Sequence, residues 1–379
     1  MPTAAVVGSG FIGPVHVEAL RRLGVRVKGV LGSSAEKSVA AAKQLGLEVG
    51  YPSYDALIGD AEIDVVHIAS PNRLHAPMAE RALQAGKHVV CEKPLAMTSA
   101  ETARLVELAA ARPRQVAAVN YNVRFYPLAL EARAMIRRGE LGRIYSVRGA
   151  YVQDWLLLET DWNWRVDPAE GGELRAVGDI GTHWMDLIGF ITGLEPRSLL
   201  ADLQTCLPTR IRPRGSVETF SGAVQPGERV PVATEDWGSV LFHYQGGARG
   251  SLNVSQVTAG RKNRITFEIA GEKGALAWDS ERPNELWIGR RGRPSELLLK
   301  DPALLDPEVR PFANYPGGHN EGFPDTFKQL YRAVYALIDD PQSAAPPLYA
   351  TFADGHRELL LCEAILASHR GRAWVDLPS

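Results

Sequence analysis

The chain has 379 residues, of which 45% are hydrophobic and 23% charged, and its net charge at neutral pH is -2. That length and balance suit a globular protein of two domains and carry no basic footprint for nucleic acid or an anionic membrane. No apolar run approaches the ~20 residues that span a bilayer, and the opening Met1-Pro2-Thr3-Ala4-Ala5-Val6-Val7 lacks the basic and long apolar regions of a secretory signal.

Residues 4–7 form a short apolar run ended by Gly8, which predicts a buried parallel strand. Val15, Ala19, Leu20 and Leu23 share one face of a helix over 14–23, stopped by Gly24. There follow a strand at 25–31, a helix at 35–45, a brief strand at 49–51, a short helix at 54–58 and a strand at 65–69. A helix at 76–85, a strand at 88–91, a helix at 99–111 and a strand at 115–120 complete the series. This alternation predicts an α/β domain over 1–123, a doubly wound parallel sheet with right-handed crossovers.

The texture changes after Arg124. A helix at 128–138 precedes strands at 144–151, 197–205, 235–244, 248–257 and 264–270, with shorter ones at 275–279 and 285–288. Gln245-Gly246-Gly247 reads as a hairpin turn. Residues 208–225, rich in Pro, Gly, Ser and Arg, read as an exposed excursion, and the basic clusters Arg210–Arg214 and Arg290–Arg293 as solvated loops. Helices are expected at 179–192, 323–338 and 351–369. Residues 124–379 are thus expected to form an α+β domain with a mostly antiparallel sheet.

Gly8-Ser9-Gly10-Phe11-Ile12-Gly13 follows the first strand and opens the first helix, the context a dinucleotide fingerprint requires. Gly8 permits the tight turn, Gly10 lets backbone approach a pyrophosphate, and Gly13 lets helix and strand pack closely. Backbone N–H groups at the helix start then face the phosphates, with Phe11 and Ile12 among the candidate cofactor contacts. An acid is expected ~20 residues on to hold the ribose 2′-hydroxyl of NAD. Gly32-Ser33-Ser34 stands there instead. Ser33, Ser34 and Lys37 suit a 2′-phosphate as well as a ribose, so NAD and NADP both remain open.

Further motifs sit after predicted strand ends: Ser70-Pro71-Asn72-Arg73-Leu74-His75, Glu92-Lys93-Pro94, and Asn122-Val123-Arg124-Phe125-Tyr126-Pro127. The second half carries Gly171-Gly172-Glu173-Leu174 and Asp179-Ile180-Gly181-Thr182-His183-Trp184-Met185-Asp186. Together these closely resemble the glucose–fructose oxidoreductase/inositol dehydrogenase/MocA family across essentially the whole chain. Asp161-Trp162-Asn163-Trp164-Arg165 and Pro316-Gly317-Gly318-His319-Asn320-Glu321-Gly322 narrow the likeness to bacterial levoglucosan-type pyranoside dehydrogenases. The resemblance implies a Rossmann domain, an open-faced antiparallel sheet domain and an active site in the cleft between them. It places Lys93 beside the nicotinamide and Asp179 and His183 toward the substrate. An open-faced sheet needs covering, so a homo-dimer or homo-tetramer is expected.

The chemistry of those residues agrees. Oxidising a secondary alcohol transfers a hydride to the cofactor and needs a base for the hydroxyl proton. Histidine titrates near neutral pH without tuning, which makes His183 the candidate base. Asp179, four residues earlier, falls on the same helical face and is placed to hold the imidazole or the substrate hydroxyl. Lys93, at a strand's carboxyl end, is placed to stabilise developing alkoxide charge, and the Lys93–Pro94 bond is a cis candidate. Ser70, Asn72, Glu92, Asn122, Trp164 and Arg165 complete the candidate cofactor set, with His75 lining the channel or capping its helix. Tyr121, Arg124, Gln153, Trp155, His319 and Asn320 join the candidate substrate set. The tryptophans are read as stacking on a sugar ring or as loop anchors.

Asp179, His183 and Asp186 lack a second histidine at ligand spacing, and the widely separated Cys91, Cys206 and Cys362 form neither a zinc site nor a disulfide framework. No metal is therefore expected, and a reducing, cytoplasmic compartment fits. The reading is an NAD(P)-dependent dehydrogenase for a cyclic sugar, anhydrosugar, glycoside or polyol, with no nucleic-acid or membrane partner. Two rivals are a redox-cycling glycosidase that keeps NAD bound and a non-enzymatic dinucleotide-sensing regulator.

Overall fold

A computed structural model describes residues 2–215, 225–341 and 346–378. The chain groups into two compact units: Met1–Asn122 with Ala169–Gly171 and Pro324–Leu359, and Val123–Pro168 with Gly172–Phe323 and Leu360–Ser379.

In the first unit, β1 (Ala4–Val7), β2 (Val27–Leu31), β3 (Val49–Gly50), β4 (Val65–Ile68), β5 (His88–Cys91) and β6 (Ala117–Val119) form a parallel sheet in the order 3-2-1-4-5-6. The helices α1 (Ile12–Arg22), α2 (Ala35–Leu45), α3 (Tyr54–Ile58), α4 (His75–Gln84) and α5 (Ser99–Ala110) alternate with them. This is the predicted doubly wound arrangement, and its strands are mostly apolar because both faces are covered, with the buried His67 of β4 among the exceptions. Thr98 and Glu101 form a reciprocal capping box at the start of α5.

In the second unit, β7 (Ile144–Val152) lies centrally in a nine-stranded sheet with β8 (Pro196–Gln204), β11 (Trp237–Tyr244), β12 (Arg249–Ser255), β13 (Arg264–Gly271), β14 (Ala275–Asp279), β15 (Glu285–Gly289), β16 (Glu296–Leu299) and β18 (Val375–Asp376). Pairing is antiparallel except between β7 and β12. Among the described residues, α6 (Pro127–Arg137) and α8 (Thr182–Thr192) pack on one face of this sheet. Trp184 of α8 enters the core, where its Nε1 donates to the Thr266 carbonyl at 2.9 Å. A side chain at Gly149 would meet that indole at 2.3 Å, so glycine is required there.

Two late elements join the first unit. β17 (Ala350–Thr351) pairs antiparallel with β6, and α9 (Phe323–Asp339) packs its aromatic face there. α10 (Phe352–Gly371) follows, and α7 (Pro168–Gly171) is a single short turn.

The excursion expected at 208–225 contains regular structure. β9 (Thr209–Pro213) and β10 (Gly227–Pro231) form an antiparallel ribbon, while 216–224 lie outside the described residues. Arg210 corrects the solvated-cluster reading: it is fully buried, and its guanidinium donates to Asp236 Oδ1 at 2.6 Å and to the Leu156 carbonyl at 2.8 Å. A local run of basic residues does not reveal a carboxylate that arrives from 26 residues away. Arg290 is half-buried against Glu140.

Candidate active site

The fingerprint glycines meet the steric demands of a phosphate cradle. Gly8 adopts φ +111°, and a Cβ there would lie 2.3 Å from the Ala69 carbonyl oxygen. A Cβ on Gly13 would lie 2.0 Å from the Gly8 carbonyl oxygen, so helix and strand are in backbone contact. Gly10 is exposed with nothing within 4 Å of the place a Cβ would take, leaving open space over the start of α1. Phe11 is also exposed and Ile12 half-buried. This shape at the N-terminus of α1 fits a dinucleotide pyrophosphate.

At the end of β2, Ser34 is the N-cap of α2 and its Oγ accepts from Lys37 N at 3.2 Å. Ser38, which the sequence reading overlooked, is buried and its Oγ accepts from Gly32 N at 2.8 Å. Ser33 and Lys37 are exposed. The Gly32-Ser33-Ser34 turn is therefore held from inside while its outer side chains face solvent.

His75 bridges two of the motif turns rather than capping its helix. Its Nδ1 lies 2.7 Å from the Pro94 carbonyl oxygen and its Nε2 2.8 Å from that of Ser70. Burial draws its pKa down, opposed by these two carbonyls and by Glu92. Ser70 Oγ faces Met78 Sδ at 3.6 Å, and Asn72 donates to the Gly171 carbonyl at 2.9 Å. Lys93 follows β5, and the Lys93–Pro94 bond is cis. Glu92 is buried, and one of its oxygens accepts the Lys93 backbone N–H at 3.3 Å.

Several candidates serve the scaffold. Asn122 donates to Thr326 Oγ1 at 2.7 Å, and Tyr121 packs wholly inside the Rossmann core. Arg124 is buried, bidentate to Asp186 at 2.7 and 2.5 Å, and lies over the Phe190 ring. That pairing corrects the reading of Arg124 as a substrate contact, because its charge is committed to neutralising a buried carboxylate. Gln153 donates to Asn263 and accepts from Trp155 Nε1 at 2.9 Å, and Trp155 packs against the small core of Leu156, Val166 and Val232. His319 and Asn320 are exposed on a loop whose carbonyls, including that of His319 at 2.8 Å, accept from the buried Lys300 ammonium.

The polar centre of the sheet unit is Asp179. The chain enters it through a π-helical turn, Val177–Gly181, that runs into α8. The expected uniform helix from 179 is thus wider at its start, a deviation that recurs at functional sites. Asp179 Oδ1 accepts from Arg165 Nε at 3.0 Å and Oδ2 from Gln256 Nε2 at 2.9 Å. Arg165 lies over the Trp164 ring at 4.3 Å and also donates to Asn163. Its placement on Asp179, rather than a reading as cofactor contact alone, is what the structure adds. His183 follows in the first turn of α8, 7% exposed, with its ring 6.0 Å from that of Tyr151.

The π turn is itself anchored. Glu235 accepts the backbone N–H of Arg175 at 2.9 Å and of Val177 at 2.8 Å, and Asp236 pairs with Arg175 and Arg210. Burial pushes the Glu235 carboxyl up to about 6. The sequence reading missed Gln256, Glu235 and Asp236, which lie far along the chain and carry no motif. Among the described residues no group of three His, Cys, Asp or Glu side chains is placed to hold a metal ion, and no helix is long and apolar enough to cross a membrane.

Comparison with known proteins adds an independent line. An oxidoreductase family model with an NAD-binding Rossmann fold matches residues 3–121, and a GFO/IDH/MocA C-terminal domain model matches residues 129–277. The levoglucosan dehydrogenase of Pseudarthrobacter phenanthrenivorans is 32% identical over 98% of this chain and 97% of its own. A solved levoglucosan dehydrogenase in complex with NADH and levoglucosan is similar with a TM-score of 0.88 and 30% identity, over 100% of this chain and 99% of that one. An inositol dehydrogenase homologue from Azotobacter vinelandii, complexed with NADH and myo-inositol, is similar with a TM-score of 0.84 and 26% identity, over 99% and 97% of the two chains.

Proposed function

Because the chain belongs to the GFO/IDH/MocA oxidoreductase family, we propose that it is an NAD-dependent dehydrogenase that oxidises a secondary hydroxyl of a cyclic sugar, anhydrosugar or polyol. The observation that carries this reading is the Asp179 carboxylate, fixed at both oxygens by Arg165 and Gln256 one turn before the buried His183.

The bound dinucleotide supplies the hydride acceptor. The chain's own residues do the rest. His183 takes the hydroxyl proton on a ring nitrogen. Asp179 accepts a hydrogen bond from the substrate or the imidazole and stabilises the imidazolium that forms. The Lys93 ammonium is of the kind that stabilises negative charge developing on a reacting oxygen. Backbone N–H groups at the start of α1 bind the pyrophosphate.

NAD is favoured over NADP because both solved relatives described above carry NADH, and the exposed Ser33 and Ser34 suit a ribose. A cytoplasmic setting fits the three free cysteines. Exposed residues on one face of the nine-stranded sheet support a homo-oligomer. Leu241, Ser251, Arg148, Glu268, Ala277, Trp287 and Leu297 stand in one cross-strand row, and Leu241, Trp287 and Leu297 are exposed.

The test is absorbance at the reduced-nicotinamide band across a panel of sugars, anhydrosugars and polyols with each cofactor. Net formation of NADH with an oxidised sugar is expected. Cleavage of a glycoside without net NADH would mark a redox-cycling glycosidase, and cofactor binding without any turnover would mark a sensor. Intact turnover in both Lys93→Ala and His183→Ala would overturn the residue assignment.

A further inference from the structure

The Rossmann unit encloses a chain of five polar side chains that the reaction above does not use. His16 points inward from α1, His67 from β4, and Tyr331 and Tyr335 from α9, while Glu92 follows β5. His16, His67 and Tyr331 have no exposed surface. His16 Nε2 lies 3.1 Å from Glu92 Oε1, and its Nδ1 lies 2.8 Å from Tyr331 Oη and 3.1 Å from His67 Nδ1. His67 Nε2 lies 3.1 Å from Tyr335 Oη.

Hydrogen-bond chemistry assigns most of the protons. Burial works to raise the Glu92 pKa, but His16, Lys93 and Asn120 outweigh it and hold the group at about 2. Glu92 is therefore a carboxylate with only lone pairs to offer, so His16 Nε2 carries a proton toward it. Burial and the neighbouring His16 push the His67 pKa well below its ordinary value, so that ring is neutral. Tyr331 then donates to His16 Nδ1, or His67 does, and Tyr335 completes the far end.

Stability does not explain such a network, since well-packed apolar side chains of similar volume do as well or better. Its location does. His16 sits on the helix that opens at the phosphate fingerprint. Its partner Glu92 also accepts from Asn120 and from the backbone N–H of Lys93.

We propose that His16 is a positioning residue for the cofactor site: through the Glu92 carboxylate it locks the fingerprint helix to the turn that carries Lys93. Phosphate cradle and ammonium are then parts of one rigid element. The part of this inference that concerns turnover rests on the reading of Lys93 given above; the part that concerns cofactor binding does not.

The full-length chain tests it with two substitutions. His16→Gln retains an N–H donor toward Glu92, and His16→Met keeps volume without a donor. The readouts are the NADH dissociation constant by fluorescence titration without sugar, kcat and KM with a responding sugar, and the melting temperature. In His16→Met, NADH affinity and kcat are each expected to fall on the order of 10-fold, with the sugar KM unchanged. His16→Gln is expected to restore both. Wild-type NADH affinity in folded His16→Met, or no rescue by His16→Gln at equal melting temperature, overturns the proposal. If His16→Met does not fold, Glu92→Gln takes its place, with a loss of NADH affinity expected and wild-type affinity overturning the proposal. A chain that binds NADH as described but turns over no sugar defeats the functional reading and leaves this one standing.

Discussion

Gln256 Nε2 donates to Asp179 Oδ2 at 2.9 Å from a side chain with no exposed surface, 77 residues further along the chain. Its backbone N–H donates to the Asp236 carbonyl at 2.9 Å, so the amide comes from a strand end that is itself tied to the anchor of the π turn. Hydrogen bonds to charged groups contribute about 1.5–3 kcal/mol. Gln256→Leu is therefore expected to lower kcat on the order of 10-fold while the sugar KM changes little. Steady-state kinetics with unchanged kcat would show that Asp179 needs no such support.

Glu235 gives a pH dependence with a definite sign. Its carboxyl titrates near 6 in the folded chain because burial disfavours the charge, against about 4.5 when unfolded. The folded state thus holds a proton that the unfolded state has released. This contribution to stability is full below pH 4.5 and is lost as pH rises through 6, amounting to about 2 kcal/mol. Glu235→Gln should flatten the melting-temperature profile between those values, and an unchanged slope would refute the assignment.

The fingerprint glycines should separate binding from folding. In Gly10→Ala the new methyl meets no protein atom, so the melting temperature should hold while NADH affinity falls on the order of 10-fold, the methyl occupying phosphate space. Gly13→Ala drives its methyl into the Gly8 carbonyl and should destabilise the unit itself. Equal melting temperatures for the two variants would contradict this geometry.

The exposed row on the nine-stranded sheet should respond to charge. Trp287→Glu places a carboxylate amid Ala277 and Leu297. If a second copy covers that face, sedimentation should show a smaller species, with the melting temperature lowered in step. An unchanged particle size would place the oligomer contact elsewhere.

How much of this was legible beforehand follows interaction range. The helix stops at Gly24, Gly46 and Gly86, the alternation of buried strands and the Gly8 to Gly13 turn are local, and the structure reproduces them within a few residues. The Asp179 and His183 pair was legible as a spacing of four. The widened turn beneath it was not, because its anchors come from far along the chain, Glu235 58 residues after Val177 and Asp236 61 residues after Arg175. The commitment of Arg124 was not legible, because the Asp186 carboxylate that neutralises it lies 62 residues on.

By itself, the sequence determined the alternation of the first half, the glycine turn after the first strand and the candidate residue types for proton transfer, since these depend on periodicity, glycine sterics and side-chain chemistry. Only the tertiary structure decided which charged groups are occupied. Buried ions persist where distant segments bring them a partner, so the commitment of Arg210 to Asp236, of Arg165 and Gln256 to Asp179, and of His16 to Glu92 is a property of the packed chain.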